Sequence, residues 1–286
     1  MNPNVSVATR RAIVLPDTLV ISGGGLRGVH GLGALAHLKH AGTLRGVKHI
    51  IGTSSGAILG AMLATDQLRR GLGLALRQKG GWDLKLHKLS KEFGIDSGKM
   101  LDDFLDALFE DYPGITFEEL LDASGFDLHV CATNLTQRKP VYFCAEGTPH
   151  MTVRLAIRHS CTLPAIFAIK RESPGGDVFV DGGITANFPI HHGRRVSRNG
   201  NVIGIGYLSS SCHREPLSDI RSFLTAIVET WSNPCDTAVH ETPGDVLLFL
   251  RTGSSISMDV DADAHTRFGW FLDGASQAKR FLKKID

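Results

Sequence analysis

The sequence predicts an α/β protein built on a parallel sheet. Three observations carry that expectation. Short apolar runs alternate with helical patterns along the whole chain. The first two runs, at Leu19–Ser22 and Val47–Ile51, read as buried strands. Each leads through a glycine-rich turn into a helix, giving strand–turn–helix twice in succession, which in one sheet requires right-handed crossovers.

The elements follow in order. Leu19–Ser22 is a strand, and Gly23-Gly24-Gly25-Leu26-Arg27-Gly28 is the turn after it. Val29–Ala41 reads as a helix with small residues (Gly31, Gly33, Ala34, Ala36) on one face. Val47–Ile51 is the second strand, and its turn is Gly52-Thr53-Ser54-Ser55-Gly56. Ala57–Ala64 is almost wholly apolar, so its helix is buried. Residues 69–91 are basic around Trp82, and residues 92–122 turn acidic. Within the acidic part Leu101, Phe104, Leu105, Leu108, Phe109 and Tyr112 fall at helical spacing. Phe126–Leu135 and Pro140–Ala145 are strands joined by a polar turn, and Thr152–Ser160 suits a helix. Val178–Val180 is a short strand running into Asp181-Gly182-Gly183. Val202–Leu208 and Val246–Leu250 are further strands; Ser218–Trp231 and His265–Lys284 are helices.

Bulk properties narrow the function. A chain of 286 residues, 42% hydrophobic, can bury one large core, and no repeat or low-complexity linker divides it. The net charge of +2 gives no field that would gather nucleic acid. The 5 cysteines show no C-x-x-C and no metal-ligand spacing, which suits free thiols in a reducing compartment. Met1–Pro16 lacks a signal-peptide core, and no apolar run reaches the length of a membrane span. Contact with a membrane is therefore expected to be peripheral.

The two turns carry the chemistry. Gly52-Thr53-Ser54-Ser55-Gly56 has the G-x-S-x-G spacing of a nucleophile elbow, in which a sharp strand-to-helix turn exposes a serine hydroxyl. The bland alternative is a plain loop with Ser54 or Ser55 as helix N-cap. Gly23 to Gly28 offers unencumbered N–H groups at a helix start, where negative charge is held. Gly23-x-Gly25-x-x-Gly28 also matches a dinucleotide fingerprint. That fingerprint needs an acid about 20 residues later for the ribose, and none occurs between Asp17 and Asp66. The anion expected here is a transient oxyanion, and Arg27 adds positive charge, unless it serves only a surface salt bridge.

Ser54 needs a base. His240 and His265 would suit a triad in α/β-hydrolase order, but neither sits in a diagnostic motif. His191-His192 suits surface or packing roles. Asp181 ends a strand, and Gly182-Gly183 turns the chain away from it; the alternative is an Asp-Gly-Gly turn without chemistry. Asp259-Val260-Asp261-Ala262-Asp263 begins like a calcium loop, but Ala264 and Trp270 stand where Gly and Glu are needed. No metal site is expected.

Taken together, these blocks resemble the patatin-like phospholipase family: Gly23–Gly28, Gly52–Gly56, Asp181-Gly182-Gly183, the small-residue stretch Ala156–Phe167 and Asn187-Phe188-Pro189. The likeness spans residues 17–210; residues 66–125 match least, and Ser22 stands where some relatives carry Asp. The resemblance implies a three-layer α/β/α fold with a central, mostly parallel sheet. It implies a single domain over 1–286, with residues 211–286 packed on the core. It implies a lipid acyl hydrolase acting on fatty acyl esters, phospholipids above all, with no cofactor. Ser54 would be the nucleophile and Asp181 the base, without histidine. Gly24, Gly25 and Leu26 would donate to the oxyanion, and Gly23, Arg27, Gly28, Gly52, Ser55, Gly56, Gly182 and Gly183 would support them. The expected partners are a lipid substrate and, peripherally, a membrane surface. The expected location is cytoplasm, the chain's own or a host's.

Overall fold

The computed structural model describes residues 16–78, 85, 89–171, 175–208, 218, 222–223, 226–227, 230, 242–253 and 261–285. The predicted helix at 218–231 and the residues Trp82, His240 and Asp259 fall wholly or largely outside them. Strand β1 (Thr18–Ile21) leads to helix α1 (Gly28–His40), and strand β2 (His49–Thr53) to helix α2 (Ser55–Ala64). β1 is buried at every position, as a strand covered by helices on both faces must be. Of α2, all but Ser55 and Ile58 is buried, matching its near-continuous apolar sequence.

Helices α3 (Leu68–Arg77), α4 (Leu89–Glu92), α5 (Lys99–Leu108) and α6 (Phe117–Ser124) follow, with the short strand β3 (Gly94–Asp96) before α5. The acidic stretch is thus two helices. Thr116 starts the second through a capping box: its hydroxyl accepts from the Glu119 N–H while the Glu119 carboxylate accepts from the Thr116 N–H. Basic and acidic stretches partly answer each other, since Arg70 of α3 pairs with Glu110 and Asp111.

The rest is β4 (Asp127–Asn134), β5 (Lys139–Phe143), α7 (Val153–Ser160), β6 (Ala165–Phe167), β7 (Phe179–Asp181), α8 (Gly183–Ala186), α9 (Ile190–Val196), β8 (Ile203–Leu208), β9 (Val246–Arg251) and α10 (Ala264–Ile285). The main sheet runs β5-β4-β2-β1-β8-β9, with β7 also on β4. β4, β2, β1, β8 and β9 are mutually parallel; β5 and β7 are antiparallel to β4. β3 and β6 form a separate two-stranded ribbon that the sequence pattern did not reveal. This is the expected α/β fold with a mostly parallel sheet. Helix α10 crosses α1 at very short range: a Cβ on Gly33 would sit 1.9 Å from the Phe271 carbonyl oxygen, and one on Gly274 1.9 Å from that of His30.

One register matters most for function. β5 occupies one edge of β4 over Val130–Asn134. On the other edge β2 pairs as far as Thr53 with Cys131, and β7 takes over with Asp181 opposite Ala132. A strand has only two edges, so β7 begins where β2 stops. The end of β7 is thereby placed at the carboxyl end of β2, where ligands bind in open α/β sheets.

Candidate active site

Ser54 sits at the point where β2 becomes α2, with φ 53° and ψ −123°. A non-glycine residue with this backbone is strained, by about 1–3 kcal/mol. It is held there by a second serine. Ser160, fully buried at the end of α7, accepts the Ser54 N–H at 2.8 Å and donates its hydroxyl to the Cys131 carbonyl at 2.5 Å. The elbow glycines fit by size. A Cβ on Gly52 would meet the Gly56 carbonyl oxygen at 2.5 Å, and one on Gly56 the Ile21 oxygen at 2.3 Å. α2 can therefore start hard against β1. Ser55 opens α2 and packs against Gly28 of the other turn.

Asp181 lies across from the elbow. Its N–H donates to the Thr162 carbonyl, and Thr133 donates its hydroxyl to the Asp181 carbonyl at 2.9 Å. The backbone is thus fixed from the turn after α7 and from β4 at once. Carboxylate Oδ1 accepts the Gly183 N–H at 2.7 Å, while Oδ2 is buried without a hydrogen-bond partner within 3.5 Å. The residue is only 4% exposed. Burial pushes its carboxyl up to about 6, and the Gly183 N–H and the neighbouring Ser54 hydroxyl pull it down from what burial alone would give. Gly182 is constrained like the elbow glycines: a Cβ there would meet the Cys131 carbonyl at 2.4 Å.

The first glycine turn forms the facing wall. Gly25 to Arg27 is one turn of 3-10 helix running into α1. Among the described residues, no hydrogen-bond acceptor takes the Gly24 or Gly25 N–H. Gly24 backs onto the buried Tyr207 ring, 2.6 Å from where its Cβ would lie. Gly23 stands 3.4 Å, by the same measure, from the Ser54 Cβ. The loop is tied to the Asp181 side through Asn187, whose carbonyl accepts the Gly23 N–H at 3.0 Å. The Asn187 amide also reaches Ser22 Oγ at 3.4 Å, so Ser22 serves as part of this tie. Arg27 is 2% exposed, so its side chain belongs to the interior.

These parts line a single cleft of about 210 Å³. Gly24, Gly25, Leu26, Gly28, Ser54, Ser55, Asp181 and Gly183 are at its wall. Gly23, Arg27, Gly52, Gly56 and Gly182 lie behind it as framework. The remainder of the lining is mostly apolar, with Leu32, Ile58, Leu59, Met62, Leu101 and Phe104 among it. No histidine is among the lining residues described, and His265 lies at the exposed start of α10. Of His191-His192, His191 is exposed and His192 packs, stacking on Tyr142 at 3.6 Å. Asp263 caps α10, accepting the Thr266 N–H at 2.7 Å.

Two framework residues were not singled out in the sequence. Ser160 is one. Arg158 is the other: fully buried, it reaches Asp102 at 3.1 Å, the Thr162 hydroxyl at 2.6 Å and the carbonyls of Ser97 and Ala168. It locks α7 to α5 and to the β3–β6 ribbon. A charged residue inside an otherwise small and apolar stretch was the available signal. Histidines and a carboxylate also gather at the opposite end of the sheet, at His49, Asp127 and His129.

The family model for patatin-like phospholipases matches residues 19–193. The chain is 33% identical over 183 residues to the probable lipid hydrolase 463L of Invertebrate iridescent virus 6, covering 60% of this chain and 61% of that protein. It therefore spans about three fifths of that relative's length. It is 26% identical to the uncharacterized protein YqhO of Bacillus subtilis strain 168, across 93% of this chain and 97% of YqhO. The crystal structure of VipD from Legionella pneumophila superposes with a TM-score of 0.60 at 16% identity, covering 95% of this chain and 67% of VipD. That likeness is one of fold. Among the described residues, no helix is long and apolar enough to cross a membrane.

Proposed function

We propose a Ser/Asp lipid acyl hydrolase mechanism for this chain, which belongs to the patatin-like phospholipase family. The observation that carries it is the shared strand β4, which brings β2 with Ser54 and β7 with Asp181 end to end. The apolar lining of the cleft supports a fatty acyl chain as the group bound beside them. It suits a pyrophosphate poorly, which weighs against the dinucleotide alternative. The substrates are fatty acyl esters, phospholipids first, met at a lipid surface.

The steps follow from the geometry. Ser54 Oγ attacks the ester carbonyl carbon, and its proton passes to the Asp181 carboxylate. Oδ2 has a free lone pair for it, since Oδ1 is engaged by Gly183. A base raised toward 6 accepts a proton more readily than an ordinary aspartate. The carbonyl oxygen becomes an oxyanion and takes up the Gly24 and Gly25 N–H groups, with Leu26 beside them. One such donor is worth about 2.7–4 kcal/mol in the transition state. The intermediate collapses, Asp181 returns the proton to the departing alcohol or lysolipid, and an acyl-Ser54 ester remains. Water, deprotonated by Asp181, then attacks that ester, and the acid leaves as Ser54 regains its proton.

Labelling with a fluorophosphonate tests this directly. One adduct on Ser54 is expected, absent in Ser54→Ala and nearly absent in Asp181→Asn. Full labelling and turnover in both variants would falsify the dyad.

A further inference from the structure

The second cluster lies on the same pair of strands as the elbow, at their other end. In the parallel register His49 of β2 stands opposite Asp127 of β4. His129 is two residues on from Asp127, so all three side chains leave the same face. Asp127 Oδ2 is 3.2 Å from His49 Nδ1 and 3.0 Å from His129 Nε2. The three ligand atoms all lie within 4.8 Å of one another.

Those separations suit a metal ion. Tetrahedral zinc, with bonds of about 2.0–2.1 Å, sets its ligand atoms about 3.3–3.4 Å apart. Two of the three spacings are already within about a third of an ångström of that. The third needs the partly buried His49 ring to swing inward. The surroundings also resemble a ligand shell. The other nitrogen of His129, Nδ1, is met by His192 Nε2 at 3.1 Å, and His192 is held by its stack on Tyr142. Such a partner fixes the ring of a ligating histidine. Asp127 Oδ1 is buried and has no hydrogen-bond partner, an arrangement that is unfavourable in an ion-free cluster. A water on the metal's fourth position would supply the missing donor. The side chains of His49 and Asp127 are 24% and 21% exposed, so water and ion can enter, while His129 is buried and anchors the set.

We propose that His49 Nδ1, Asp127 Oδ2 and His129 Nε2 bind a divalent transition metal of the zinc class. Imidazole nitrogens favour zinc, cobalt or nickel over calcium or magnesium, which take oxygen. The ion replaces the protons now shared between the imidazoles and the carboxylate. It staples β2 to β4 at their amino ends. Ser54 lies five residues along β2, about 16 Å away at the rise of a strand, so the metal takes no part at the serine. This site is independent of the hydrolase mechanism.

The test uses the full chain, free of any histidine tag and stripped of metal. Titration with cobalt(II) is expected to give one equivalent bound, with the visible d–d absorption of a tetrahedral site. Zinc is expected to displace the cobalt and raise the thermal midpoint. His49→Ala, at a partly exposed position that leaves the fold intact, and Asp127→Ala should each lower the affinity at least 100-fold and remove the zinc-dependent rise. Fluorophosphonate labelling of Ser54 should not change on adding or removing metal. Absence of stoichiometric binding by the parent chain overturns the proposal. So does binding that survives both substitutions, which would place the ion elsewhere.

Discussion

Replacing Asp181 with asparagine is expected to make the protein more stable while removing its activity. The carboxyl is buried and its pKa is raised from 3.8 to about 6. At about 1.36 kcal/mol per unit, the ionised group weakens the fold by about 3 kcal/mol at neutral pH. The sign follows from proton counts. Between pH 3.8 and about 6 the native chain holds a proton that the unfolded chain has released. Stability contributed at this site therefore falls as pH rises through that window and stays low above it. Asparagine carries no charge at any pH. Its Oδ1 can keep the Gly183 N–H, and its amide can donate to the Ser54 hydroxyl. Unfolding by urea or heat should thus show Asp181→Asn ahead of the parent by about 3 kcal/mol at pH 7.5, or about 5 °C for a chain of this size. The gap should close by pH 4. Turnover should fall by about 10²–10⁴ or more, and in the parent kcat/KM should rise with pH through about 6 to a plateau. A variant no more stable than the parent at pH 7.5, or a gain that persists undiminished at pH 4, refutes this account of the site.

Two further substitutions probe the framework and the cleft. Ser160→Ala orphans the Ser54 N–H and the Cys131 carbonyl; the expected result is a loss of about 2–4 kcal/mol of stability and a larger fall in kcat than in 1/KM, read from urea curves and ester kinetics. Leu101→Trp places an indole in the apolar part of the cleft; the preferred acyl chain should shorten in a competition among p-nitrophenyl esters, with little change for the acetate.

The sequence disclosed the parts that depend on neighbours in the chain. The two turns declare themselves because a glycine is needed wherever a Cβ would strike backbone, as at Gly56 against Ile21. The capping pair Thr116 and Glu119, three residues apart, came to light only in the structure. What stayed hidden depends on register. Nothing local says in what register β4 pairs with β2, or that β7 joins it antiparallel in the space left over. Asp181 could be nominated as a base from its turn, but its approach to Ser54 is a property of three strands together. The cluster of His49, Asp127 and His129 was invisible for the same reason, since its members are brought together across the β2–β4 pair. Arg158 and Ser160 were passed over because a short polar side chain or an arginine in a helix ordinarily faces water.

The handover from β2 to β7 along one edge of β4 also sets an order of events during synthesis. The chain emerges from the ribosome with its serine elbow more than 120 residues ahead of Asp181. On the proposed mechanism, a chain that ends short of residue 179 lacks the Asp181 carboxylate that would take the Ser54 proton. The proposed dyad is thus incomplete in the growing polypeptide until β7 pairs with β4. Loss of β7 by proteolysis would remove the proposed base while leaving Ser54 in place.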